Sequence, residues 1–123
     1  MLKVINLHYC FQKFSDTFSP KIIAELNGQH IKVVWLEGDK VPWHIHDNED
    51  ELFWVLEGVL QVYTQNETVT LHSSEFCIVP KGIEHRVTPQ GRVKLILFEP
   101  AGIAHTGNVK SEITLDHYDW LDL

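Results

Sequence analysis

The stretch "GDKVPWHIHDNEDELFWVLEG", Gly38 to Gly58, decides the fold. It places His44 and His46 one residue apart, follows them with Asp47, Glu49, Asp50 and Glu51, and then runs into an apolar segment. On a strand, residues i and i+2 point to the same face. His44 and His46 therefore present two imidazoles side by side, with Ile45 turned away. If Asp47 to Asp50 make a turn, Glu51 returns opposite the histidine pair. The pattern has two readings: a polar loop beside a buried strand, or half of a metal site. A fourth ligand would come from elsewhere, and His85 is the best candidate. It opens a strand just after the "PKG" turn, Pro80 to Gly82. Imidazole plus carboxylate suits Fe, Mn, Zn, Ni or Cu. Neutral histidines and one carboxylate leave a divalent ion with net positive charge, able to hold an anionic substrate or activate water or dioxygen.

Outward from this stretch the chain reads as short strands between turn signals. "PKIIAEL" meets "QHIKVVWLEG" across Asn27-Gly28, a hairpin signal. In the second run Ile31, Val33 and Trp35 share one face. "VPWHIH" is extended, because Pro42 biases Val41 away from helix. "ELFWVLEG" is a buried strand, and Glu57-Gly58 is expected to turn it into "VLQVYT". "TVTLH", "EFCIVP", "EHRVTP" and "GRVKLILFEP" follow. With an N-terminal strand "KVINL", that makes about nine or ten strands, the pattern of an all-β barrel or sandwich. Helix is expected only in "YCFQKFSD" and near "DHYDW", and Ala101 to Ser111 reads as a loop.

A chain of 123 residues implies one domain, residues 1–123. Roughly 65% of the extended chain's surface can be buried at that length. No apolar run reaches the ~18 residues that span a bilayer, and the N-terminus does not read as a signal peptide. The net charge of −7, with scattered basic residues, argues against a nucleic-acid partner. Two cysteines without a CxxC argue against a disulfide framework or a thiolate zinc site. The cytoplasm is the expected location.

The same residues resemble the cupins. Their first motif, G-x5-H-x-H-x3–4-E-x6-G, fits Gly38, His44, His46, Glu51 and Gly58 at every position. Their second, G-x5-P-x-G-x2-H-x3-N, fits Pro80, Gly82 and His85, but Ser74 stands where the first Gly is usual and Pro89 where the Asn is usual. The chain looks most like the small single-domain cupins labelled "mannose-6-phosphate isomerase-like". The resemblance implies an all-β, jelly-roll barrel (a double-stranded β-helix) holding one divalent transition metal, Fe, Mn, Zn or Ni, through His44, His46, Glu51 and His85. It also suggests a homodimer. "KVINL" and "KIIAEL" would be apolar edges in need of cover.

Phe53 and Val55 alternate in phase with Glu51 and should line the same interior; Tyr63 and Cys77 are further candidates for a pocket wall. Trp54 and Trp43 should point away, and Cys77 also reads simply as a buried hydrophobe. His8, His30, His72, His105 and His117 read as surface or loop residues, and Asp47, Glu49 and Asp50 as a solvated turn. Arg86, next to His85, should point out of the barrel, so a phosphosugar isomerase lacks an evident phosphate anchor. A metal-dependent enzyme acting on a small molecule is expected, oxygen chemistry ahead of isomerisation, with a non-catalytic ligand-binding module as the alternative. No general acid or base beyond the ligands is evident from the sequence.

Overall fold

A computed structural model describes residues 2–101, 106–115 and 117–123. Among these residues the chain forms one short helix and seven strands: α1 (Leu7–Gln12), β1 (Lys21–Leu26), β2 (Gln29–Leu36), β3 (Glu51–Thr64), β4 (Thr68–Leu71), β5 (Glu75–Val79), β6 (His85–Pro100) and β7 (Asp119–Trp120). The sheet order is β4-β3-β6-β2-β1-β7, with β5 added along β3. Neighbours are antiparallel except β1 and β7, which run parallel. The all-β barrel expected from the sequence is the fold observed. No helix among the described residues is long and apolar enough to cross a membrane.

The strand count falls short of expectation because two expected turns are bends inside long strands. Glu57-Gly58 does not end a strand: β3 continues through it, and its register against β6 shifts between Val55 and Glu57 and again between Glu57 and Val59. Gly58 has φ +106°, and a Cβ there would stand 2.9 Å from the Arg92 carbonyl oxygen, so only glycine lets the two strands pass. The break expected near Pro89 is likewise internal to β6. Pro89 is paired only with Leu60 of β3, so this half of β6 is an edge that tolerates a missing N–H.

Three further expectations are corrected. "KVINL" is not a strand but a lead-in to α1, whose N-cap Asn6 accepts a hydrogen bond from the Tyr9 N–H at 2.9 Å. "VPWHIH" forms no strand beyond a single bridge between His44 and His85. "DHYDW" holds β7 rather than a helix; Leu121 N–H donates to the Ile22 carbonyl at 2.9 Å, so the edge of β1 is partly covered.

Alternation along the strands sorts side chains into two cores. Val34, Leu36, Phe53, Val55, Leu95 and Leu97 fill the barrel. Val33 and Ile96 pack on the outer face with Cys10 and Phe11 of α1, and Ile31, Trp35, Trp54 and Phe98 join them. The indole N–H of Trp35 donates to the Phe11 and Phe14 carbonyls, which ties α1 to the sheet.

Ser74, standing where the motif has glycine, keeps a left-handed backbone at φ +69°. That conformation costs a non-glycine residue about 1–2 kcal/mol. Ser74→Gly should therefore stabilise the fold by about 1 kcal/mol and raise Tm by about 4 °C. Thermal unfolding followed by circular dichroism checks this, and an unchanged or lower Tm contradicts it.

Candidate metal centre

His44 and His46 lie on the segment entering β3, Glu51 is the first residue of β3, and His85 is the first residue of β6. All four are buried, and one ligand atom from each falls within 4.8 Å of the others. Backbone bonds fix the two segments together. His44 N–H donates to the His85 carbonyl at 2.9 Å and His85 N–H to the His44 carbonyl at 3.0 Å. Gly82 N–H donates to the His46 carbonyl at 2.9 Å, and the Lys81 N–H to Asp50 Oδ1 at 2.9 Å, so the "PKG" turn is stitched to the histidine segment. From the other side Asn108 clamps Ile45: its Oδ1 accepts from Ile45 N–H at 2.9 Å, and its N–H donates to the Ile45 carbonyl at 3.2 Å. The neighbouring Gly107 leaves room for this, since a Cβ there would stand 2.5 Å from the Ile45 carbonyl oxygen.

Each imidazole is held by its outer nitrogen. Nδ1 of His44 donates to the Pro42 carbonyl at 2.7 Å, Nδ1 of His85 to the Ile83 carbonyl at 2.9 Å, and Nδ1 of His46 to Glu49 Oε1 at 2.9 Å. A proton on Nδ1 leaves Nε2 of the neutral ring as a lone pair. The three Nε2 atoms and Glu51 Oε2 are buried with no hydrogen-bond partner outside their own cluster among the described residues; within it, Glu51 Oε2 lies 2.6 Å from His46 Nε2. Unpaired buried polar atoms are costly. Four of them converging on one point are what a metal ion would satisfy, and outer partners of this kind are the usual way of aiming metal-binding imidazoles.

The electrostatics follow from these contacts. Burial pushes the His44 imidazole down to about 4. Burial would also lower His46, but Glu51, with Oε2 2.6 Å from its Nε2, and then Glu49 outweigh it and raise His46 to about 9. Burial would raise Glu51; the His46 and His85 imidazoles instead hold it at about 2.

Among the other candidates, Phe53 is buried against His85, with ring centroids 5.9 Å apart, and Val55 is buried in the same core. Cys77 is half-buried and lines a cavity of about 380 Å³ with Val62, Val69, Val79 and Ile83. This cavity shares its wall with the ligand set, because Val79 pairs with Glu51 in register and the Ile83 carbonyl holds His85. Burial pushes the Cys77 thiol up. Tyr63 departs from expectation. It follows the buried Val62, so alternation turns it outward, where the Arg86 guanidinium lies 5.3 Å from its ring. Arg86 itself pairs with Asp39 at 3.2 Å. His105 lies outside the described residues.

Sequence reasoning missed four residues. Glu49 is not a solvated turn residue but the support of His46. His30 is not on the surface; its Nδ1 is buried without a hydrogen-bond partner among the described residues. Lys32 (0% exposed) and Glu99 (1% exposed) form an ion pair inside the barrel, Nζ to Oε1 at 3.0 Å, and the Lys32 ammonium also lies 3.7 Å from the Tyr118 ring centroid. Burial, then Glu51, push the Glu99 carboxyl up to about 7 against the pull of Lys32. The missed signal is in β2. Ile31, Val33 and Trp35 make one face apolar, while Val34 and Leu36 make the other apolar too, so a lone Lys32 between them has nowhere to be but inside.

These ionisation states fix a proton count. Without metal, His46 keeps its proton up to about 9, His44 is neutral above about 4 and Glu51 is ionised above about 2. A metal takes the imidazole lone pair, so loading at pH 7 should expel about one proton, from His46. Affinity should rise with pH until His46 is neutral in the metal-free protein. Metal titration calorimetry in two buffers of different ionisation enthalpy measures this; no proton release at pH 7 contradicts it.

The chain matches the family model described as a cupin domain over residues 32–99. It is 32% identical over 87 residues to the Bacillus subtilis protein YdbB, covering 70% of this chain and 76% of that one. Among solved structures it is similar to a cupin-2 domain containing protein from Shewanella frigidimarina, at 38% identity and a TM-score of 0.76, covering 79% of this chain and 94% of that one. It is also similar to a Neisseria meningitidis protein at 28% identity and a TM-score of 0.72, covering 80% and 100% of the two chains.

Proposed function

The chain belongs to the cupin family, and from that premise we propose that it is a divalent-metal-dependent enzyme acting on a small molecule inside the barrel. The single observation that carries this reading is the set of four buried ligand atoms within 4.8 Å, three of them imidazole nitrogens aimed by bonds to the opposite ring nitrogen. His44, His46, Glu51 and His85 would hold one ion of Fe, Mn, Zn or Ni. When bound, the ion supplies Lewis acidity and a place for an anionic oxygen or for dioxygen.

The surroundings favour oxygen chemistry over isomerisation of a phosphosugar. Phe53 lies against His85, and Val55 and Leu97 belong to the same buried apolar cluster, which keeps water from the ligands. Phosphate recognition needs converging cations. Arg86 faces Asp39 outside the barrel, Lys81 is exposed, and Lys32 is neutralised by Glu99. The cavity wall formed by Cys77, Val79 and Ile83 is the proposed seat of the substrate's apolar part.

Elemental analysis of the purified protein tests the metal. About one first-row ion per chain is expected, lost in His85→Ala, with Glu49→Ala binding about 10–100-fold more weakly because His46 loses its support. A parent protein that holds no metal after reconstitution overturns the reading.

We propose further that two copies pair through the outer side of β5. Phe76 and Ile78 are 57% and 54% exposed there, and Trp54 adjoins Phe76 with ring centroids 6.3 Å apart. Light scattering at micromolar concentration should give the mass of a dimer, and Ile78→Lys should shift it toward the monomer; a purely monomeric parent contradicts this.

A further inference from the structure

Glu51 has a different neighbour on each side. On β5 it pairs with Val79, which lines the cavity beside Cys77 and Ile83. On β6, Leu52 pairs with Phe98 and Phe53 with Leu97, so the register sets Glu99 opposite Glu51. Side chains opposite each other on antiparallel strands have Cβ atoms about 5 Å apart. Glu99 shares the inward face with Leu97 and Leu95, and the metal ligands lie on that same side of the sheet.

Only half of the Glu99 carboxylate is used. Oε1 accepts from Lys32, while Oε2 is buried and has no hydrogen-bond partner among the described residues. The residue opposite Glu99 on β2 is His30, and its Nδ1 is the other buried ring nitrogen without a partner that is not a metal-ligand candidate. Once ionised, this carboxylate is an acceptor, and a buried one left half-satisfied is destabilising unless a donor arrives. The Lys32 ammonium fixes the position of Glu99 and offsets its charge without closing off Oε2.

Resting on the metal-dependent reading above, we propose that Glu99, positioned by Lys32, is a substrate-binding residue. In this role Oε2 accepts a hydrogen bond from a hydroxyl or amine group of a substrate whose neighbouring oxygen is held at the His44, His46, Glu51, His85 centre. The chemical class is thus a small oxygen-chelating molecule with an adjacent donor, such as a 2-hydroxy acid. A simple carboxylate without that donor fills the metal side only.

The test compares glycolate with acetate, which lacks the hydroxyl, on cobalt(II)-loaded protein, followed by the cobalt absorption spectrum. The parent's preference for glycolate over acetate should exceed that of aqueous cobalt(II) by about tenfold, the contribution of one hydrogen bond to a charged group. Glu99→Leu alone would leave the Lys32 ammonium buried and unpaired, which threatens folding. The variant used is therefore Lys32→Met/Glu99→Leu, which removes both charges and keeps the volume. It should keep one cobalt per chain and acetate binding, but its glycolate preference should fall to about that intrinsic to aqueous cobalt(II). Because the readout is a ratio of two ligands on one protein, a general loosening of the barrel does not mimic it. A glycolate preference equal in parent and variant, or no glycolate binding by the cobalt-loaded parent, overturns the role of Glu99. Failure of the parent to bind cobalt at all instead overturns the metal reading on which it rests.

Discussion

Three imidazoles and a carboxylate buried in an apolar barrel form the constraint on which the rest of the structure depends. Unsatisfied polar groups in such a place would each cost kilocalories. The fold meets this on the outer side of every ring: two backbone carbonyls and Glu49 accept hydrogen bonds from Nδ1–H of His44, His85 and His46. The inner atoms have only one another for partners. Much of the local architecture serves this arrangement. The two-way bridge between His44 and His85, the bond from Gly82 to His46 and the Asn108 clamp on Ile45 all fix the backbone from which the ligands project.

Strand pairing alone does not bring the distant ligands together. β3 starts at Glu51 and β6 starts at His85, but the strands run antiparallel and His85 pairs with Thr64, at the far end of β3 from Glu51. The ligands meet because the ladder bends and the His44 segment bridges to His85. At the Gly58 bend the two strands pass closely, and both halves of the pair contribute to one buried core. The outer face of this sheet needs separate cover, supplied by α1 and the packing of Phe11 and Cys10 against Val33 and Ile96.

The barrel interior is not uniformly apolar. Glu51 stands between an apolar wall on β5 and the buried Lys32–Glu99 pair on β6 and β2. A buried ion pair is weak evidence of stability, since hydrophobic replacements of similar volume often do as well. Its place beside the ligand set fits the proposed role of the carboxylate oxygen that Lys32 leaves free.

The all-β class, the Asn27-Gly28 hairpin and the ligand-bearing stretch were legible because each depends on local sequence: alternation, turn residues and spacing. His44, His46 and Glu51 lie within eight residues of one another, so a strand and a turn were enough to bring them together on paper. Tertiary structure decided what depends on partners far along the chain. Glu57-Gly58 reads locally as a turn, yet it is a bend, because β6 runs beside it and keeps the ladder going. Tyr63 reads as a central-strand residue, but the register shifts preceding it and its neighbours Arg86 and Thr88 decide which face it takes. Glu49 reads as a solvated acid until His46 folds onto it. Lys32 and Glu99 are 67 residues apart, and no local signal pairs them. Their meeting requires β2 and β6 to be neighbours in the sheet, and only the folded sheet imposes that.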